Sequence, residues 1–380
     1  MTPSRLGPAY GLHENVRLPC LQRSFDRKEL LFLFAYQNNI QKIYIELTQH
    51  CNLSCRSCFR INWTKPPVHM DEAVFHKVSK EVASAKTIVI GGVGEPTAHP
   101  EFNRYSRALA HENMELTSNA YDWNEDTLKT IIDLYKKVTV SVDGLPQSFF
   151  AARGFDFEIM AENVRRLARA RKSANSKFPL IHAQLVLSKD NLHDVKGLIP
   201  MLREIGFGRL VISNLLPQTE QDKDKIVYTP YLSKELRDFV SAWYPIGSAN
   251  QLPMKIPQTK FNAEHRCDFV EDGALFITAA GNVAPCFRFA HDGQEYVFGR
   301  KKKVRAVSFG NIIESSLAEV WNQKEYLAFR FQNYASRYPS CIDCDYVEFC
   351  DYITTSEADC RANEPSCADC LWCRGLIECP

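Results

Sequence analysis

"KIYIELTQHCNLSCRSCFR" (residues 42–60) joins a short run of β-formers to three cysteines. Lys42 to Leu47 alternates and is rich in β-branched and aromatic side chains, the pattern of a strand ending at Thr48. Cys51, Cys55 and Cys58 follow in the spacing C-x3-C-x2-C. Thiolates so spaced can wrap one face of a [4Fe–4S] cube, and three of them leave one of its four irons without a protein ligand. An open position separates a reactive metal centre from a structural one, and the same logic holds for zinc. The competing reading of these residues is a zinc site with His50 or a distant cysteine as fourth ligand.

Beyond this loop, helix and strand signals alternate as far as residue 216. Residues 70–85 put Val74, Val78 and Val82 on one helical face behind Asp71. An apolar strand over 86–92 closes on glycines, and helices are expected over 101–112, 124–135, 157–172 and 194–205. Further strands are expected over 114–119, 137–144, 179–188 and 208–216. Six strand-then-helix units imply parallel strands with right-handed crossovers, although the helix after the sixth strand is weak. The fold class is therefore α/β, a partial (β/α)6 barrel of the TIM type followed by a small cysteine-rich region. Chemistry in that architecture sits at the C-terminal ends of strands. Cys51, the segment Gly91 to Glu95, Asn119 and the segment Ser141 to Gly144 all fall there.

The 380 residues carry 46 basic and 45 acidic side chains, which argues against a nucleic-acid partner held by electrostatics. The main basic cluster, Arg300 to Lys303, reads as a solvated turn rather than a binding patch. No apolar run is long enough for a membrane span, and the first thirty residues lack a signal-peptide core. A cytoplasmic setting follows, where 14 cysteines read as metal ligands rather than disulfides. They are unevenly spread. Cys20 stands alone as a plain thiol, three lie at 51–58, and ten lie from Cys267 to Cys379.

The segment "IGGVGEPTAHP" (90–100) supplies glycines that let the backbone approach a ligand, with the Glu95 carboxylate beside them to hold an ammonium group. C-x3-C-x2-C after the first strand, with G-G-x-G-E-P after the second, resembles the radical S-adenosylmethionine superfamily. The resemblance implies that S-adenosylmethionine chelates the open iron through its amino and carboxylate groups. Gly91, Gly92 and Glu95 then match the segment that binds the amino group. Ser141 and Asp143 in "SVDG" match a ribose-contacting segment, and Arg153 in "AARG" an arginine that meets the methionine carboxylate. Asn119 in "TSNA" matches a T-N-G position in which Ala120 replaces glycine, and Ile212 and Ser213 fall where adenine is met. The residue before the third cysteine is commonly aromatic; here it is Ser57, so Phe59 is expected to cover the cluster instead. Read without the family, Ser141 and Asp143 cap a turn and Arg153 is a surface residue.

The tail resembles the SPASM extension, which carries auxiliary [4Fe–4S] clusters. Cys267 is followed by "GNVAPC" ending at Cys286, then by Cys341-x2-Cys344-x5-Cys350. The usual fourth cysteine of that array falls on Thr354, with Cys360 as substitute. Two cubes need eight thiolates, fewer than the ten present. The expected first set is Cys267 and Cys286 with late cysteines, Cys360 favoured. The expected second set is Cys341, Cys344 and Cys350 with Cys367 or Cys370. Cys379 is a further candidate, and Cys373 a surplus thiol. A zinc ribbon of Cys341/Cys344 and Cys367/Cys370 is the alternative. On these resemblances the chain divides into an N-terminal extension (1–39), a radical core (40–225), a connection (226–262) with a helix near 233–243, and the SPASM region (263–380). Within the last, a hairpin over 274–286 turns at Gly281-Asn282, and one helix spans 316–334.

"CFRINWTKPP", "NLLPQTEQDKD", "SFGNI" and "CLWCRGLIECP" are similar to a SPASM subgroup described as maturases of tungsten-cofactor oxidoreductases. The resemblance implies reductive cleavage of S-adenosylmethionine to a 5′-deoxyadenosyl radical that takes hydrogen from a protein, peptide or pterin-cofactor substrate. A low-potential reductant such as flavodoxin or ferredoxin would supply the electron. The alternatives are a peptide maturase forming a thioether or carbon crosslink, and a metal-bearing scaffold without catalysis. About forty residues precede the first strand, too few for the peptide-recognition domain of many such maturases.

Overall fold

Six short apolar strands pair in chain order and in parallel: β1 (Lys42–Ile45), β2 (Thr87–Ile90), β3 (Met114–Ser118), β4 (Tyr135–Ser141), β5 (Leu180–Leu187) and β6 (Arg209–Asn214). The computed structural model describes residues 39–262 and 264–378, so Cys20, Cys379 and nearly all of the expected N-terminal extension lie outside it. Helices α1 (Glu72–Glu81), α2 (Phe102–Leu109), α3 (Glu125–Leu134), α4 (Pro146–Arg153), α5 (Phe157–Ser173) and α6 (Val195–Ile205) make the crossovers. Local chemistry sets their ends. Val74 N donates to Asp71 Oδ1 at 2.8 Å, and Thr127 N to Asn124 Oδ1 at 2.9 Å. Each such cap stabilises its helix by about 1 kcal/mol.

Burial then orients the sheet. On β5, Ile181, Ala183, Leu185 and Leu187 are buried in the main core, while Gln184 and Val186 face a cavity. Val195, Leu198 and Leu202 of α6 belong to the same core. Each large apolar side chain so buried is worth about 1.5–3 kcal/mol.

Helix α4 carries Arg153 and was not expected from the sequence. Its signals are present all the same: Pro146 sits at its start, and Gly154 ends it at φ 76°. The weak region after β6 forms α7 (Lys234–Ser241) and α8 (Trp243–Ala249), and β7 (Met254–Lys255) then pairs parallel to β6.

The C-terminal part begins with α9 (Asp268–Glu271), β8 (Ala274–Ile277) and β9 (Val283–Ala284). The expected hairpin forms, with Gly281 at φ 80° in its turn. Its first strand is also parallel to β1, so nine strands run in the order β7-β6-β5-β4-β3-β2-β1-β8-β9. A second sheet pairs β10 (Gly293–Val297) with β11 (Arg300–Val304). The basic run is therefore a strand, not a solvated turn, and Lys302 is buried. A run of like charges signals solvent only when no counter-charges await it, and here they do. The expected helix over 316–334 is two helices, α10 (Leu317–Asn322) and α11 (Lys324–Tyr334). Gln323 breaks them with ψ 143°, and Arg330 Nη1 folds back to donate to Trp321 O at 2.7 Å.

Candidate active site at the open end of the barrel

The ends of β1 to β6 and the loops after them enclose a cavity of about 750 Å3. Cys51, Cys55 and Cys58 line it, with no fourth cysteine among its described lining residues. Their loop is fixed from several sides. Arg56 N donates to Ala152 O at the end of α4 at 2.9 Å, and Asn62 Nδ2 to Gln218 O at 2.7 Å. N–H groups point at the sulfurs: Leu53 N at 3.4 Å from Cys51 Sγ, and Arg60 N at 3.5 Å from Cys58 Sγ. Arg153 Nη1 lies 3.9 Å from Cys55 Sγ. Burial pushes the Cys55 thiol up to about 11, with Arg153 opposing. Donors around each sulfur suit thiolates that hold a cluster, whose properties depend on such hydrogen bonds.

The turn after β2 packs beneath this loop. A Cβ at Gly94 would stand 2.2 Å from Thr48 O and 2.6 Å from His50 O, and one at Gly92 2.7 Å from Glu46 Cγ. Gly91 is less constrained, at 3.3 Å from Thr117 Cβ. The close approach lets Glu95 N donate to His50 O at 2.8 Å and turns the Glu95 side chain inward. That carboxylate is buried. It accepts from Asn119 N at 2.7 Å, Ser118 Oγ at 2.7 Å and Thr97 Oγ1 at 2.8 Å. Burial nevertheless raises its pKa, against the pull of those donors. Asn119 Nδ2 reaches Asn52 Oδ1 at 2.8 Å and so ties the turn to the cysteine loop. Ala120 adopts φ 55°, the left-handed conformation that explains the glycine of the family pattern.

Asp143 and Arg153 meet across the cavity wall, Oδ2 to Nη2 at 2.7 Å. Asp143 Oδ1 also accepts from Val186 N at 2.9 Å. Burial lowers the Arg153 pKa, but Asp143 and Cys55 outweigh it and leave that pKa raised. Arg153 is therefore not a surface residue, and Asp143 is bound to it rather than to a turn. Ser141 and Ser213 line the same cavity, whereas Ile212 points into the core. Phe59 is 42% exposed and lies 6.3 Å from the Trp372 ring, so it faces the far wall. His50 stacks on His69 at 4.2 Å. Residues that the sequence did not single out include Gly94, Ser118, and the wall residues Phe287 and Trp372, with Asn52 reached through Asn119. Gly94 was legible as the third glycine of its motif; the others carry no local signal.

Phe287 and Trp372 separate this cavity from a second, smaller one. Cys267, Cys286, Cys367, Cys370 and Cys373 all line that smaller cavity. This corrects three expectations. Cys367 and Cys370 belong with the first set, not the second. Cys373 lies among these thiols rather than apart from them. Cys360 instead lies beside Cys341, whose pKa burial and Asp369 push up to about 12. The reason is chain return: residues 367–373 turn back against the segment before α9, where His265 Nε2 lies 2.9 Å from Cys367 O and Arg266 N donates to Cys373 O at 2.9 Å, which spacing alone does not encode. Cys341, Cys344 and Cys350 share one loop nearer the surface, where Cys344 and Cys360 are exposed. The pairs of the expected zinc ribbon thus fall into different groups. Among the described residues, no three His, Cys, Asp or Glu side chains stand close enough for one metal ion.

Comparison with known proteins adds the family. The pattern described as "Radical SAM superfamily" matches residues 45–226, and that described as "SPASM: Iron-sulfur cluster-binding domain" matches 267–345. A Pyrococcus furiosus protein named "Tungsten-containing aldehyde ferredoxin oxidoreductase cofactor-modifying protein" is 36% identical over 346 residues, 89% of this chain and 96% of its own. Streptococcus suis SuiB bound to its precursor peptide SuiA superposes with a TM-score of 0.59 at 15% identity, over 88% of this chain and 76% of that one. Native anSMEcpe with bound AdoMet gives 0.55 at 19% identity, over 88% and 95%. No helix among the described residues is long and apolar enough to cross a membrane.

Proposed function

The chain belongs to the radical SAM superfamily and carries a SPASM domain, so it is an enzyme of [4Fe–4S] clusters and S-adenosylmethionine; from that premise we propose that it matures a tungsten-type oxidoreductase by modifying that enzyme or its cofactor. The similarity to the Pyrococcus furiosus cofactor-modifying protein, which spans nearly all of both chains, carries this reading. When bound, the cluster and S-adenosylmethionine supply one-electron cleavage to a 5′-deoxyadenosyl radical, which takes hydrogen from the substrate; the chemistry is theirs and the protein supplies orientation and exclusion of water.

The side chains would divide that work as follows. Cys51, Cys55 and Cys58 hold the cluster on a loop pinned to α4. Glu95, buried and already fixed by four donors, would accept from the ammonium group of S-adenosylmethionine, and Gly91 and Gly92 would let the backbone come close to it. Arg153 receives the carboxylate, and Asp143 orients that guanidinium. Ser141 and Ser213 face the ribose and adenine, and Asn119 locks Glu95 to the cysteine loop. Cys267, Cys286, Cys367, Cys370 and Cys373 offer one auxiliary cluster its ligands, and Cys341, Cys344, Cys350 and Cys360 the other. Cys379 remains a further ligand candidate. A low-potential flavodoxin or ferredoxin in the cytoplasm would be the reductant.

The test is anaerobic. The reconstituted chain with S-adenosylmethionine and dithionite should yield 5′-deoxyadenosine, and its rate should rise when the unmatured tungsten oxidoreductase is added. Stimulation by a short ribosomal precursor peptide instead would favour the crosslinking reading. Iron near twelve per chain, at four per cube, is expected; zinc in its place and no 5′-deoxyadenosine would leave only a scaffold.

A further inference from the structure

The two tail cysteine groups are joined by four buried charges. Side-chain exposure is 2% for Arg288, 4% for Glu295, 4% for Asp369 and 3% for Lys302. Arg288 Nη2 donates to Glu295 Oε1 at 2.5 Å and lies 3.4 Å from Asp369 Oδ1. Lys302 Nζ donates to Asp369 Oδ2 at 2.7 Å. Glu295 and Lys302 stand opposite one another on β10 and β11. Asp369 immediately precedes Cys370, so the shared carboxylate sits in the cysteine segment itself.

The placement is asymmetric. Arg288 lines the cavity of the interior group, Cys267, Cys286, Cys367, Cys370 and Cys373. Strand β11, which carries Lys302, runs beside the surface group: Ser356 N, between Cys350 and Cys360, donates to Lys303 O at 3.0 Å. Four charges at such burial are costly to desolvate, and replacing them with apolar side chains would often be neutral or stabilising. Fold stability alone therefore does not favour charged over apolar side chains at these positions. Their effect on a neighbouring charge, by contrast, is large, because little water screens it.

We propose that Arg288, Glu295, Asp369 and Lys302 are positioning residues that set the reduction potentials of the two auxiliary clusters, Arg288 acting on the interior cluster and Lys302 on the surface cluster, with Asp369 as the counter-charge common to both. This rests on the reading that the two cysteine groups bind those clusters. Each cluster takes up one electron from the reductant, and no bond forms or breaks. The added electron is negative, so a nearby cation favours the reduced state and raises the potential; a nearby carboxylate lowers it. Burial thus gives a function to Lys302, within the basic run, that composition does not announce.

The experiment is a potentiometric titration of the full, iron-loaded chain, followed by electron paramagnetic resonance. Asp369→Asn should raise the reduced-to-oxidised ratio of both auxiliary clusters about tenfold at a fixed potential, about 59 mV for a one-electron couple. The cluster on Cys51, Cys55 and Cys58 should not move. Lys302→Gln should shift the surface cluster in the opposite direction more than the interior one, and Arg288→Gln the reverse. Lys302→Arg and Arg288→Lys keep the charge and should keep the potentials. If Asp369→Asn loses its iron, the two glutamine variants decide. Unmoved auxiliary potentials, or the same sign from losing a cation and losing a carboxylate, would overturn the proposal. A wild-type chain that binds no auxiliary clusters would overturn the ligand reading itself, and the proposal with it.

Discussion

The loop of Cys51, Cys55 and Cys58 and the cysteine segments of the tail are built on different supports. The first hangs from parallel strands whose ladder continues through β1 to β6, with a large apolar core behind them. The second has little regular structure: residues 341–378 contain only short 3-10 turns. There the chain is held by single hydrogen bonds, by the four buried charges and by whatever the thiols ligate. A loop on a finished scaffold can leave a coordination position open without risking its own fold. A segment that depends on its ligand cannot, and its thiols are correspondingly numerous. Metal binding in such a segment is part of folding.

The largest expected effects come from deleting one thiol on each side. Cys55→Ala should reduce S-adenosylmethionine cleavage to background and leave the auxiliary iron in place. Cys344→Ala should keep the cleavage and lose substrate turnover, with 5′-deoxyadenosine reporting cleavage and the modified substrate reporting turnover. Equal loss from the two would erase the contrast and make the tail a requirement of the barrel's fold.

Removing iron sharpens the same contrast. In the chelated chain, limited trypsin digestion should cut first at the exposed Arg361, while fragments spanning β1 to β6 persist. Cleavage within the barrel at the same rate would show that it too leans on its cluster.

Within the barrel itself, effects should follow backbone proximity. Gly94→Ala drives a methyl group into Thr48 O and should cost about 3 kcal/mol, whereas Gly91→Ala meets only a side chain and should cost less than about 1 kcal/mol. Urea denaturation measures both. The smallest effect is expected at Ala120, at φ 55°. Ala120→Gly relieves left-handed strain and should be stabilising by up to about 1 kcal/mol, the gain being offset in part by entropy. A destabilisation by that amount would mean that the Ala120 methyl, fully buried, packs better than its backbone suffers.

Much of the barrel was legible because its signals are local. Strand alternation, helix faces and caps such as Asp71 and Asn124 each lie within a few residues, and the observed elements end within a few residues of the expected bounds. The cysteine loop and the glycine turn with Glu95 were legible for the same reason: spacing along the chain is spacing in the site. Helix α4 escaped because it is short, although Pro146 and Gly154 mark its ends. The placement of Asn119 and Arg153 at the cavity follows the family resemblance, but the engagement of Asp143 with Arg153 and Val186 carries no local signal. Residues at the ends of two different strands and a helix have no sequence spacing that reports their contact.

By itself, then, the sequence determined a parallel α/β barrel, a three-thiol loop open to a further ligand, and a metal-rich tail. Only the tertiary structure decided which tail thiols stand together, that Cys360 lies beside Cys341 and Cys373 joins Cys267, and that Lys302 is buried against Asp369. Those partners are separated by 19, 106 and 67 residues. Contacts over such distances depend on how a chain without regular structure turns back on itself. That turning follows from contacts made only in the folded chain, such as the burial of Lys302 against Asp369, not from any period in the sequence.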